Sequence, residues 1–80
     1  MAQRSSNDEA VSRRAMGELQ RMVHRVCALI LNRDYPEVDI LIERGKVRRR
    51  CEELFPDRMD LYEMIYESRF DRLMEQFRED

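Results

Sequence analysis

Pro36 and Pro56 are the only prolines in this chain of 80 residues, and each stands in a turn-forming stretch, so the sequence reads as three pieces joined at two short breaks. A proline removes a backbone donor and pushes the residue before it out of the α region, which stops a helix. Apart from these there are just two glycines, Gly17 and Gly45, while charged residues make up 40% of the chain and hydrophobic ones 42%. That balance suits helices with solvated faces and enough apolar side chains for one core, and it argues against a wholly disordered chain.

Each piece carries a helical period. The opening residues 1–6 read as a flexible polar tail, and Ser6 with Glu9 three residues on forms the pattern of a capping box, which predicts a first helix over about 7–33. Its apolar positions Val11, Ala15, Leu19, Met22, Val23, Val26, Cys27, Leu29 and Ile30 fall within an arc of roughly 160°, wide enough for two neighbours. Asn32 to Glu37 is the first break, with Asp34 or Tyr35 as N-cap and Pro36 in the first turn of a second helix over about 36–54. A β-hairpin is the alternative there, because Val38, Ile40 and Ile42 alternate and Arg44-Gly45 could turn. The second arm is too charged for a half-buried strand, whereas Ile40, Val47, Cys51 and Phe55 recur at helical spacing. After Phe55-Pro56-Asp57, with Asp57 as a cap, a third helix over 57–78 carries Met59, Tyr62, Tyr66, Phe70, Leu73 and Phe77 at steps of three and four, flanked by Leu61 and Ile65.

The fold expected is all-α: residues 7–80 form a single helical domain, a small three-helix bundle in which short connections make consecutive helices antiparallel. So short a chain buries a modest share of its surface, which favours self-association, and a homodimer is expected. Charge is unevenly distributed. Residues 1–34 hold six Arg against four acids, and residues 59–80 hold three Arg against seven acids, within a net charge of −2. No apolar run approaches the ~20 residues needed to cross a bilayer, so the expected location is cytoplasmic, with Cys27 and Cys51 reduced.

The chemistry-bearing residues are sparse. His24 and Cys27 lie three apart on one helix, but folding back at residues 34–35 leaves Cys51 roughly 13 Å further along, too far to join them at a metal or to bridge to Cys27. No metal and no cofactor are expected. With a single histidine and no Gly-rich phosphate loop, no nucleophile, base and orienter can be assembled, and the chain is not expected to be an enzyme. Lys46, Arg48, Arg49 and Arg50, with Arg44, form a basic run that offers an alternative as a small nucleic-acid-binding regulator. On a helix those charges spread around the axis, interleave with Asp39, Glu43, Glu52 and Glu53, and lack aromatic residues for base stacking.

Two surfaces are left over. Val38, Ile42 and Gly45 repeat at i, i+4 and i+7 on the flank of the second helix away from Ile40 and Cys51, either as part of a broad core face or as a strip for a partner. On the third helix Glu63, Glu67, Asp71, Glu75 and Glu79 recur every fourth residue, beside Met64 and Met74. Like charges at that spacing destabilise a helix unless bases from elsewhere meet them, and Arg48 to Arg50 are candidates. Arg44 falls near the centre of the apolar arc, so its stem must snorkel or its guanidinium must meet a carboxylate. The function expected is a small helical protein-protein interaction module, an adaptor, inhibitor or regulatory subunit. It would dock an unidentified protein through Val38, Ile42, Gly45, Met64 and Met74, with Glu63, Glu67 and Asp71 steering the approach.

Overall fold

The structure, a computed structural model, describes the backbone of residues 2–78 and the side chains of residues 9–78. Three helices and no strand make up the described residues: α1 spans Ala2–Leu31, α2 spans Glu37–Leu54, and α3 occupies residues 59–78. The hairpin alternative is thereby replaced by a helix across Val38 to Arg48. The molecule measures 55 × 21 × 17 Å, because the 30 residues of α1 outrun the 18 of α2. Residues 9–14 are all exposed.

Several predicted ends move. The backbone is helical from Ala2, so Ser6 and Asn7 lie inside α1 instead of starting it; the side chain of Ser6 is outside the described residues, as are those of Glu79 and Asp80. At α2 the N-cap is Pro36 itself, with extended backbone and no capping side chain, and its carbonyl accepts from the Asp39 and Ile40 N–H groups. Asp34 takes no capping role; its N–H donates to the Asn32 side chain at 3.1 Å in a local turn. Phe55 ends α2, its N–H donating to the Cys51 carbonyl at 2.7 Å, and Pro56–Arg58 forms one 3₁₀ turn with Pro56 in its first position. Asp57 makes no side-chain cap.

The core is the convergence of the three apolar faces. Leu19, Val23, Val26 and Ile30 of α1, Ile40, Val47 and Cys51 of α2, and Tyr62 and Phe70 of α3 are all nearly inaccessible to solvent. Full burial of a Leu, Ile or Phe side chain stabilises by roughly 1.5–3 kcal/mol, so these positions carry the fold. Val11 contributes nothing to this, being on the part of α1 that overhangs.

Polar contacts tie the helices together at three levels. Arg50 of α2 grips Glu18 of α1 with two hydrogen bonds, Nε donating to Oε2 and Nη2 to Oε1. Arg48 and Arg44 of α2 reach Glu63 and the Glu67–Asp71 pair of α3. At the opposite end, Arg78 donates through Nη1 to the carbonyls of Ile30 and Asn32, at 3.0 Å each, and through Nη2 to that of Tyr35. A helix C-terminus leaves carbonyls without partners, and here the last turn of α3 supplies the donor.

Candidate functional site

α3 is not uniform. Its first turn, Met59–Tyr62, and its last three turns, Ser68–Arg78, are α-helical, and Glu63–Glu67 between them is a π turn. The Ser68 N–H donates to the Glu63 carbonyl five residues back, and the Ser68 hydroxyl donates to the same oxygen at 3.2 Å. Residues five apart on a regular α-helix point roughly 140° away from each other. The wider turn brings such pairs onto one face, and the Tyr62 hydroxyl accordingly donates to Glu67 Oε2 at 2.7 Å.

Glu67 passes the contact on to α2. Arg44 Nη2 donates to Glu67 Oε1 at 2.8 Å and to Asp71 Oδ1 at 2.9 Å, while the guanidinium carbon sits 5.3 Å from the centre of the Phe70 ring. Partial burial works against the charge on Arg44, but the hydrogen bonds to Glu67 and Asp71 outweigh it and raise its pKa. Burial first, and then the Glu67 carboxylate, push the Tyr62 phenol well above the ordinary tyrosine range, so Tyr62 remains a neutral donor. The arginine on the core face of α2 is thus resolved by carboxylates and an aromatic ring together.

This network absorbs most of the acidic row. Glu63 accepts from Arg48 at 2.6 Å, and Glu67 and Asp71 share Arg44. It absorbs most of the basic run as well: Lys46 pairs with Glu43 at 3.4 Å, and Arg50 pairs with Glu18 and Glu53. Of Lys46, Arg48, Arg49 and Arg50, just Arg49 lacks an ion pair among the described residues, which leaves little continuous positive surface for a phosphate backbone. Cys27 and Cys51 are free thiols; burial raises the pKa of both, so neither is an activated nucleophile. No group of three metal-ligating side chains comes together among the described residues.

The apolar strip on α2 is what remains open. Val38 is 63% exposed and Ile42 53%, and Leu41, which the periodic reading had not placed in the strip, is equally exposed at 53%. Gly45 follows on the same side, and a Cβ built there meets nothing within 4 Å. Between α2 and α3, Leu41, Arg44, Gly45, Arg48 and Glu67 line a shallow groove beside the strip. Leu41 could have been found from its place three residues after Val38 and four before Gly45.

On α3, Met64 stands out at 65% exposure, whereas Met74 is half-buried against the core and offers less free surface than its position on the helix wheel promised. A second apolar cleft lies at the other end of the bundle, where Met16, Phe55, Leu61, Ile65 and Tyr66 leave room beneath the overhanging α1. Leu61 and Ile65, which flank the periodic stripe of the third helix, are about half exposed. No protein-family model matches the chain, and neither a curated protein nor a solved structure matches it.

Proposed function

We propose that this chain is a small helical protein-protein interaction module without catalytic activity, an adaptor, inhibitor or regulatory subunit that docks through the outer face of α2 and self-associates as a homodimer. The observation that carries this reading is the exposure of Val38, Leu41 and Ile42 together, on a helix that gives Ile40, Val47 and Cys51 to the core. Single exposed apolar residues are ordinary, but three on one helical face beside a glycine form a surface that gains by being covered. On α3, exposed Met64 and the largely exposed carboxylate of Asp71 are further candidate contacts. A reducing cytoplasm suits its two unpaired thiols.

Docking would follow the helix-in-groove logic, with apolar side chains supplying affinity and the rim charges setting orientation. The test is affinity purification from the native cell with the wild-type chain and with Ile42→Asp. A defined set of proteins should be retained by the wild type and lost with the variant, while the helical circular-dichroism spectrum stays unchanged because Ile42 is outside the core. Identical retention by both chains would overturn the reading.

A further inference from the structure

We infer that the outer face of α1, on a different helix from the α2 strip, binds duplex nucleic acid through its phosphates. Arg13, Arg14, Arg21, His24 and Arg25 fall within an arc of roughly 120° at 100° per residue, centred opposite the buried Leu19, Val23, Val26 and Ile30. All five are exposed, and none belongs to an ion pair among the described residues. Ala10, Gly17 and Ala28 make a low line along the middle of the arc. Arg21 Nη1 lies 3.5 Å from where a Cβ at Gly17 would stand, so its guanidinium rests over that line.

The positive excess survives a count of its surroundings. Glu9 and Glu18 are the acids of α1 with described side chains; both lie outside the arc, and Glu18 is bound by Arg50. On the α2 border, Glu43 pairs with Lys46 in a groove shared with Arg25, and Glu53 pairs with Arg50. On the α3 border, the charge of Arg69 is close enough to Cys27 to oppose the rise in its thiol pKa. The four arginines of the arc, with Lys46, Arg50 and Arg69, make seven bases against the four acids Glu9, Glu18, Glu43 and Glu53. Residues 34–78 hold nine bases against twelve acids, so positive charge gathers on the α1 side of the molecule.

What the face lacks identifies its occupant. Protein interfaces draw their affinity from buried aromatic or aliphatic anchors, and helices that lie on anionic lipid sink an apolar face into it. Between Ala10 and Ala28 the arc has no apolar side chain larger than alanine. Single strands are held by stacking on aromatic rings, and α1 contains no Phe, Tyr or Trp. The backbone of a duplex asks for cations alone, and planar guanidinium forks match phosphate oxygens. A helix with its side chains is about 10–12 Å across, and the B-form major groove is about 12 Å wide. Arg14, Arg21 and Arg25 on one side of the low line, and Arg13 and His24 on the other, then face its two phosphate walls. Residues 9–14 are all exposed, so the fold leaves this end of α1 open to approach. Alanine and glycine along the line offer no side-chain hydrogen bonds to base edges, which makes the recognition independent of sequence.

The test is fluorescence anisotropy of a labelled DNA duplex of about 20 base pairs titrated with the full chain, from about 20 mM salt upward. The wild type should bind duplexes of unrelated sequence alike, and its affinity should fall steeply with salt. At about 0.1 M salt, where charges are screened over ~10 Å, Arg21→Gln with Arg25→Gln should weaken binding at least about tenfold. The same pair should make the salt slope shallower by about 2, close to one for each phosphate contact removed. Arg49→Gln with Arg58→Gln removes equal charge from exposed positions outside the arc and should change affinity by less than about twofold. Circular dichroism should stay helical for both doubles, since all four residues are exposed. No binding at the lowest salt, or equal loss in the two doubles, overturns the inference. So does a chain that binds phosphatidylserine vesicles or poly-glutamate and leaves the duplex free.

Discussion

Arg44 projects from the core-facing side of α2, where a charge without partners would be too unfavourable to bury. Its guanidinium is held by Glu67 and Asp71 and lies over Phe70, and Glu67 is in turn held by Tyr62. Each group is therefore the condition for another. Replacing Arg44 by Ala strands a part-buried carboxylate and removes the packing of the stem, and should destabilise the fold by about 1.5–3 kcal/mol, the range of hydrogen bonds to charged groups. Arg44→Met keeps the stem and should lose less. Tyr62→Phe removes one hydroxyl donor from Glu67, which keeps its arginine, and should lose about 1 kcal/mol. Urea unfolding of the three variants beside Arg49→Ala checks this, since Arg49 is exposed and unpaired among the described residues and its loss should change stability by less than about 0.5 kcal/mol. Equal midpoints for Arg44→Ala and Arg49→Ala would show that the network carries no stability.

At the scale of the helices, Gly45 allows a clean measurement. Because a Cβ there meets nothing within 4 Å, Gly45→Ala in dilute solution should stabilise α2 by up to ~1 kcal/mol through backbone entropy alone, read as a higher urea midpoint. A lower midpoint would mean that the helix depends on glycine at that point. The helices were largely legible in the sequence because Ile40, Val47 and Cys51 in α2, and Leu19, Val23, Val26 and Ile30 in α1, keep the period of a buried stripe, and all seven are buried. Less legible was what depends on neighbours. The Ser6–Glu9 pattern is compatible with a cap but does not compel one, and the helix continues through it to Ala2. Whether Val38 and Ile42 faced the core turned on how many helices touch α2, which no single-helix pattern contains. The π turn left a trace that the period alone could have exposed. Tyr62, Tyr66 and Phe70 recur every fourth residue, and eight residues of a regular helix overshoot two turns by roughly 80°. The wider turn at Glu63–Glu67 lies between Tyr62 and Phe70, and both end residues are buried.

For the molecule as a whole, the inter-helix ion pairs share one layout: the arginines sit on the central helix α2 and the carboxylates on α1 and α3, so α2 is clamped from both sides by groups that acid can discharge. Glu18 shows the direction. Its hydrogen bond from Arg50 holds its pKa below the usual 4.5, outweighing the opposing effect of desolvation, and the Arg50 and Arg21 charges add to the lowering. A carboxyl whose pKa is lowered by folding binds fewer protons in the folded state than in the unfolded chain. Its contribution is therefore fully present above the unfolded value and is lost as pH falls through the folded one. Thermal midpoints measured from neutral pH downward should stay level until about the ordinary glutamate range and then fall. Glu18→Gln should begin with a lower midpoint at neutral pH, because Arg50 loses its charged partner across the α1–α2 contact, and should fall less on acidification. The two curves should converge in strong acid. If they run parallel over the whole range, the Arg50–Glu18 contact holds no pH-dependent share of the stability, and the clamp on α2 rests on its apolar side alone.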